Sequence, residues 1–173
     1  MTNSSERGDN LRIALASDAE GHALKERLAA DLREERYGVK DCGRPSDDDI
    51  AESPDATRLA AQAVLSGEAD LAIVVCGSGA VASLAANKIP GVRACHCQDT
   101  FSARHGRSTA AANMLCLGAR VVGHDLAAEI ARAFLAEPVS ERERHEQLRG
   151  KLDALEAEFA DRHASLQAAR SQD

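Results

Sequence analysis

The segment Cys76-Gly77-Ser78-Gly79 combines residue types that can move a proton on a small anionic substrate. Its cysteine ends the apolar run 71–76, and the small residues after Gly79 predict a helix. Glycines let backbone N–H groups approach a ligand closely, and a helix start carries unpaired N–H groups with a partial positive charge. The segment is therefore a candidate site for an oxyanion or phosphate beside a cysteine base. A tight strand-to-helix turn with an inert, buried cysteine explains the same residues equally well.

Two further candidates are less specific. Asp18 follows the apolar run 11–16, where its carboxylate can accept a hydrogen bond from a substrate hydroxyl. Capping of a helix is the better interpretation of this residue by itself. His105 lies four residues before Thr109, so both side chains are predicted on one face of a helix.

Cys95 and Cys97 flank His96 in a second apolar segment. Alternation along a strand places the two thiols on one face and the imidazole on the other. Two thiols without a second pair make a poor zinc site. We therefore interpret both cysteines as core residues and expect no bound metal.

Arginines cluster near the start of the last predicted helix, at Arg142, Arg144 and Arg149. Guanidinium groups suit phosphate because they offer paired N–H donors. Neighbouring glutamates favour a simpler interpretation, in which these arginines form ion pairs on a solvated helix face.

The elements that must position these residues alternate between strand and helix. Short apolar runs predict strands at 11–16, 39–42, 71–76, 92–97 and 114–117. The polar stretch 43–53 predicts a loop. Helices are predicted between the strands, with Gly38 ending the first and Pro54 opening the second. This alternation predicts an α/β fold, a parallel sheet with helices on both faces. Its ligands should bind at the carboxyl ends of the strands, near a switch in strand order.

The two ends of the chain differ from the middle. Residues 1–10 are polar and predicted to be disordered, 11–139 form the predicted domain, and 140–173 form a C-terminal helical extension. Apolar residues in the extension are spaced by four, three and four positions, as in a narrow seam along a helix. They are Leu148, Leu152, Leu155 and Phe159. Docking on the chain's own domain and contact with another subunit are equally open.

Composition disfavours several classes of function. The 173 residues carry a net charge of −7 and only 2% aromatic residues, which disfavours nucleic acid as a partner. No apolar run approaches the roughly 20 residues that span a membrane, and the N-terminus has no signal-peptide pattern. The five cysteines are odd in number and mostly adjoin apolar runs. We therefore expect a reduced, cytoplasmic protein rather than a disulfide scaffold.

Four segments together resemble the ribose-5-phosphate isomerase B family, which includes the galactose-6-phosphate isomerase subunits. They are residues 17–21, 73–79, 85–94 and 117–123, within a match from about residue 11 to residue 149. The resemblance implies a Rossmann-like three-layer fold, here with a long C-terminal helix, and a homodimer or homotetramer with active sites between subunits. It also implies metal-free, cofactor-free interconversion of an aldose phosphate and a ketose phosphate. The default pair is ribose 5-phosphate and ribulose 5-phosphate, of the pentose phosphate pathway.

The resemblance further implies roles for individual residues. Cys76 is the base that moves a proton between C1 and C2, and the loop after it stabilises the enediolate oxygen. That loop consists of Gly77, Ser78, Gly79, Ala80 and Val81. The other residues expected to bind substrate are Asp18, Asn113 and Arg120 around the sugar, and Arg144 and Arg149 at the phosphate.

Several positions depart from the family pattern. The family usually has Asp-His where this chain has Asp18-Ala19, and His-Asn-Asp where it has 109–111, Thr-Ala-Ala. The second of these histidines is the acid thought to open the furanose ring. Val81 replaces the last glycine of the loop, and Ser53 replaces a tyrosine before a proline.

Three hypotheses about the substrate follow. A four-carbon sugar phosphorylated at its terminal oxygen, such as erythrose 4-phosphate or erythrulose 4-phosphate, cannot close a furanose through that oxygen and needs no ring-opening acid. Alternatively, His105 or His22 supplies the acid in place of Thr109, and the substrate is a pentose phosphate. The third hypothesis is a catalytically impaired relative that binds a sugar phosphate or a protein partner. A dinucleotide-dependent dehydrogenase is disfavoured, because the first turn lacks the Gly-x-Gly-x-x-Gly pattern.

Overall fold

The computed structural model of the chain describes residues 11–43 and 52–170, with side chains as far as residue 160. Within these residues the chain forms five strands and six helices. The strands are β1 (Arg12–Ser17), β2 (Gly38–Asp41), β3 (Leu71–Cys76), β4 (Ala94–His96) and β5 (Met114–Gly118). The helices are α1 (His22–Glu34), α2 (Ser53–Leu65), α3 (Ala80–Ala86), α4 (Thr100–Ala110), α5 (His124–Ala136) and α6 (Glu143–Arg170). The predicted disordered segment 1–10 and most of the predicted loop 43–53 lie outside the described residues.

The strands run parallel in one sheet, in the order β2-β1-β3-β5-β4. Every residue of β3, at the centre, is buried, which explains its continuous apolar sequence. β2 lies on one side of β1 and β3 on the other, so the strand order switches between β1 and β3. Ser17 at the end of β1 pairs with Val75, next to Cys76. The predicted parallel sheet is confirmed, and its switch point lies at the carboxyl ends of β1 and β3.

Alternate residues of the strands build two different cores. One face packs branched and aromatic side chains, such as Ile13, Ile73 and Phe134, against α1, α4 and α5. The other face is mostly alanine and packs against α2 and α3, with Cys76 and Cys116 among its few larger side chains. The two cores and the sheet between them make the predicted three-layer fold. We call the second core the alanine layer.

One helix boundary differs from the prediction. α1 ends at Glu34, whereas the sequence suggested that Gly38 would end it. Arg36 adopts left-handed backbone with φ of 68°, and the N–H of Tyr37 closes the turn on the last residues of the helix. Gly38 instead begins β2. The expectation was wrong because Arg36, although it has a Cβ, adopts the left-handed conformation at which glycine usually ends a helix.

The chain divides into two compact units between Val139 and Ser140. The first contains the sheet and α1 to α5. The second contains α6, a single helix of 28 residues that is roughly 42 Å long at 1.5 Å per residue. The predicted long C-terminal helix is thus confirmed. Among the described residues, none of the helices combines the length and apolar character needed to cross a bilayer.

Candidate active site

A pocket of about 530 Å³ opens at the switch point, beyond the ends of β1 and β3. Its walls come from the turn after β1, the start of α2, the turn after β3 and the turn after β5. The lining residues are Asp18, Ala19, Glu20, Glu52, Ser53, Pro54, Cys76, Gly77, Ser78, Val81 and Arg120. The pocket therefore gathers segments that are distant in sequence at the place where sheets of this kind bind ligands.

Cys76 is the last residue of β3 and is only 1% exposed. The backbone N–H of Gly79 donates a hydrogen bond to its Sγ at 3.0 Å, so the turn folds back over the sulfur. This fold requires left-handed backbone at Gly79, where φ is 81°. A Cβ at Gly79 would lie 2.5 Å from Nε2 of His96, so both the backbone angle and the space select glycine.

The turn after β5 holds the Cys76 loop from the side. The N–H of Ala119 donates to the carbonyl of Cys76 at 2.8 Å, and the N–H of Arg120 donates to the carbonyl of Gly77 at 2.9 Å. Ser78 Oγ accepts a hydrogen bond from the N–H of Ala80 at 3.3 Å. These bonds fix the loop before any ligand arrives and bring Arg120 to the pocket rim.

Asp18 performs the structural role that its sequence suggested and also faces the pocket. Its Oδ1 accepts the N–H of Gly21 at 2.8 Å, just before α1 begins. Its Oδ2 accepts the hydroxyl of Ser53 at 2.5 Å, which ties the end of β1 to the start of α2. A substrate hydroxyl would therefore meet a carboxylate whose position is already fixed.

Glu20 and Arg120 form an ion pair over the pocket. Arg120 Nη2 donates to Glu20 Oε1 at 2.5 Å, although 73% of the arginine side chain is exposed. A Cβ at Gly77 would overlap Oε2 of Glu20, so glycine there makes room for the carboxylate. With Asp18 and Glu52, the lining holds three carboxylates against one guanidinium, and at neutral pH its charge is negative.

Sequence reasoning did not select Glu20, Glu52 or Ser53 as site residues. Glu20 stands two positions after Asp18, and a second carboxylate in that turn was a usable signal. His96 was also missed: its Nε2 is buried, has no hydrogen-bond partner among the described residues and lies against Gly79. Its importance depends on the pairing of β4 with β5, which local sequence does not show.

Three predicted residues lie elsewhere in the same chain. The carbonyl of Asn113 accepts the N–H of Ala72, four residues before Cys76 along β3 and so about 13 Å from the pocket end. The Asn113 amide bonds the backbone of Arg93 and Gly91, at 2.8 and 2.9 Å. One chain therefore does not bring Asn113 to Cys76. The other two predicted residues, His105 and Thr109, lie on α4, the helix that precedes Asn113.

Thr109 is nearly buried near the end of α4, and its Oγ1 lies 3.4 Å from Nδ1 of His105. The ring of His105 also stacks on that of Phe101, with centroids 5.6 Å apart. The predicted shared face of His105 and Thr109 is confirmed by this contact. Their part in catalysis stays a prediction.

Arg144 and Arg149 belong to the second compact unit, in the first turns of α6. Arg149 Nη2 donates to the carbonyl of Ser140 at 3.1 Å. Their role in binding phosphate stays a prediction.

The other cysteines have structural positions. Cys95 and Cys97 both face the core of branched side chains, whereas His96 points toward Gly79, as strand alternation predicted. Burial raises the pKa of the Cys116 thiol far above its usual range, so it stays protonated. In the described part of the chain, no cluster of three or more His, Cys, Asp or Glu side chains is arranged to hold a metal.

Residues 13–152 match the sequence model of the Ribose/Galactose Isomerase family. The chain belongs to this family. D-erythrulose-4-phosphate isomerase 2 of Mycolicibacterium smegmatis is 37% identical over 127 residues, which cover 72% of this chain and 84% of the relative. Ribose-5-phosphate isomerase B of Escherichia coli is 37% identical over 145 residues, which cover 84% of this chain and 96% of the relative.

A solved structure extends the similarity to three dimensions. Ribose-5-phosphate isomerase B of Clostridium thermocellum superposes with a TM-score of 0.80 at 39% identity, covering 86% of this chain and 99% of that one. The family and the Rossmann-like fold that the four sequence segments predicted are confirmed.

Proposed function

We propose that this chain interconverts an aldose phosphate and a ketose phosphate through an enediolate, with Cys76 as the base. The observation that carries the proposal is the position of Cys76, whose sulfur lies at the switch point, in the pocket lining, under a loop of backbone N–H groups. The names of the relatives support the same class of reaction.

The reaction needs only proton transfers. The Cys76 thiolate takes the proton from C2 of the aldose, and the C–H electron pair forms the C1–C2 double bond of the enediolate. Negative charge then grows on the former carbonyl oxygen, and we propose that N–H groups of the loop 77–81 stabilise it. Return of the proton to C1 and transfer of the hydroxyl proton from O2 to O1 complete the ketose. Asp18 is the residue placed to orient a hydroxyl.

The phosphate must be held by cations beyond this lining, because the lining is negative and Arg120 is engaged by Glu20. Arg144 and Arg149 are the predicted phosphate ligands. Arginine suits that task through paired N–H donors.

We propose a four-carbon sugar phosphate as substrate. Thr109 and Ala19 stand where the family usually has histidines, and a hydroxyl or a methyl group cannot donate a proton to a ring oxygen as an imidazolium does. An acyclic tetrose phosphate does not require that step. The relative from Mycolicibacterium smegmatis is named for such a substrate, whereas the relative from Escherichia coli is named for a pentose phosphate.

We also propose a homodimer in the cytoplasm. Asn113 and Thr109 can reach a Cys76 loop only from a second subunit, since in their own chain they lie toward the other end of the sheet. The five free cysteines support a reducing compartment.

The test is turnover of the purified chain on erythrose 4-phosphate and ribose 5-phosphate, side by side and without added metal. The expected result is isomerisation of the tetrose with little turnover of the pentose. Equal turnover of ribose 5-phosphate would contradict the substrate proposal, and single His22→Ala, His96→Ala and His105→Ala variants would then locate the acid. Failure on both, together with retained binding of either in calorimetry, would support the catalytically impaired relative instead.

A further inference from the structure

α6 carries large apolar side chains that remain in contact with solvent. Leu148, Leu152, Leu155 and Phe159 are 38, 39, 52 and 54% exposed. Their spacing of four, three and four residues places them along one line of the helix, at the a and d positions of two heptads. We call these four residues the α6 seam.

The seam extends past the part of the chain that is shared with its relatives. The family match ends at residue 152, so Leu155 and Phe159 lie beyond it. The Clostridium thermocellum structure is covered over 99% of its length by only 86% of this chain. The second half of the seam therefore lies outside the segment that the family shares.

We propose that the α6 seam packs antiparallel against the same seam of a second copy of this chain. In this register a two-fold axis passes between positions 153 and 154. Leu152 then lies against the partner's Leu155, and Leu148 lies against the partner's Phe159. Each seam covers the other, so the contact is self-complementary, as two-fold symmetry demands.

The charges beside the seam select this direction. Arg149 and Lys151 flank its first half, and Glu156 and Glu158 flank its second half. Running antiparallel, Lys151 faces the partner's Glu158. Symmetry doubles this contact, which makes two pairs of opposite charge and none of like charge.

A parallel arrangement of the same helices is electrostatically poorer. Lys151 would then face the partner's Glu156, which is favourable. The preceding heptad would place Arg144 against the partner's Arg149, and this repulsion offsets the attraction. The charge pattern thus favours the antiparallel direction over the parallel one.

Two heptads are too short to hold isolated helices together in water. The seam therefore contributes to an assembly that other surfaces of the chain also support. Its loss should lower the mass of that assembly, from dimer to monomer or from tetramer to dimer. The inference does not depend on the proposed reaction.

The first experiment compares Leu155→Glu with Ala157→Glu in the full chain, by sedimentation velocity over a concentration series. Position 157 is on the far side of α6, so the control adds the same charge to the same helix away from the seam. We expect Leu155→Glu to raise the dissociation constant of self-association by at least about 100-fold and Ala157→Glu to leave it unchanged. Circular dichroism must show equal helix content in both. An unchanged mass for Leu155→Glu would overturn the proposal.

The second experiment tests the register by exchanging charges. Lys151→Glu and Glu158→Lys should each weaken association by about tenfold at low salt, and the double variant should restore it. Restoration by Lys151→Glu with Glu156→Lys instead would overturn the antiparallel arrangement in favour of the parallel one. Failure of both pairs to restore association would overturn the pairing altogether.

Discussion

The two ends of the parallel sheet are built differently. At the carboxyl end, backbone bonds between loops hold Cys76 and Asp18 in place, and polar atoms remain directed at an open pocket. At the amino end, Asn113 uses its amide to bind the backbone of neighbouring turns, and Arg12 pairs with Asp70. The difference teaches that one chain offers a pocket with a proposed base at the carboxyl end, whereas the side chains at the amino end stabilise the fold and would act in the proposed reaction only at the site of a second subunit.

The largest expected effect is on Cys76 itself. Cys76→Ala should lower kcat by about 10³-fold, because the proton between C1 and C2 loses its base. Cys116→Ala is the matched control: Cys116 lies in the same alanine layer, on the neighbouring strand, and does not line the pocket. Both variants should lose similar stability, and only the first should lose turnover. Equal activity of the two in a coupled assay would remove Cys76 from the role of base.

Mixing two kinds of inactive subunit tests whether Asn113 acts in the site of the partner subunit. If Asn113 serves the partner's site, dimers that combine a Cys76→Ala chain with an Asn113→Ala chain contain one intact site. After unfolding and refolding at equal amounts, about a quarter of the wild-type activity should return, because half of the dimers are mixed and each has one working site. Recovery of none, from variants that refold to native mass, would place both residues in the same subunit's site or remove Asn113 from the site.

Gly79→Ala tests whether the turn after Cys76 sets the position of the sulfur, apart from the cost of placing a Cβ on left-handed backbone. A Cβ at Gly79 meets a φ of 81° and the ring of His96, so kcat should fall at least about tenfold and stability by about 1–2 kcal/mol. Gly67→Ala has a similar φ, 75°, in open space far from the pocket, and should cost stability alone. Thermal melts and steady-state rates of both proteins measure the difference. A fully active Gly79→Ala enzyme would show that the turn does not set the position of the sulfur.

Glu20→Gln should act on substrate affinity. Loss of this carboxylate reduces the negative charge of the pocket and releases Arg120, so KM for a phosphorylated sugar should fall about two- to fivefold at low salt and less at high salt. Glu68→Gln, outside the pocket, is the control. A higher KM together with a lower kcat would mean instead that Glu20 contacts the reacting sugar.

The smallest effect is expected at the amino end. Hydrogen bonds from Arg12 hold the pKa of Asp70 below its usual range, so the pair stabilises the fold above the pKa of the unfolded chain, near 4. This contribution is lost as the pH falls through the lower, folded value. Because both side chains are more than a third exposed, Asp70→Asn should cost under about 1 kcal/mol at pH 7. Denaturant titrations at pH 7 and pH 3 should show the difference between variant and wild type shrinking in acid, with kcat unchanged.

Features that depend on residues close together in the sequence could be predicted, whereas contacts between distant residues could not. The apolar run of β3, the glycine turn after Cys76 and the four family segments were sufficient to predict the sheet, the family and the position of Cys76 at the end of a buried strand. The Glu20–Arg120 pair joins residues 100 positions apart, and no periodicity reveals such a contact. The left-handed Arg36 escaped prediction because a glycine two residues later offered the conventional helix end.

Sequence also placed Thr109, Asn113 and Cys76 in one site, although the strands separate them within a chain. Motifs identify which residues a family uses together, but not which copy contributes each of them. That information resides in the direction of β3 and β5, whose register fixes Met114 beside Ala72 and Gly118 beside Cys76.

The alanine layer behind Cys76 has a consequence for how this protein can change. Alanine has no side-chain torsion, so the alanines of the layer have no alternative rotamers with which to absorb a larger neighbour. Enlarging Ala14, Ala16 or Ala56 would push on backbone and so displace the sulfur. Substitutions that change the shape of the pocket are therefore expected at its front, at Glu52, Pro54 and Val81, where solvent leaves space for side chains of other sizes. Cys76 is thus constrained by the layer behind it, whereas the loops that face it can change in size.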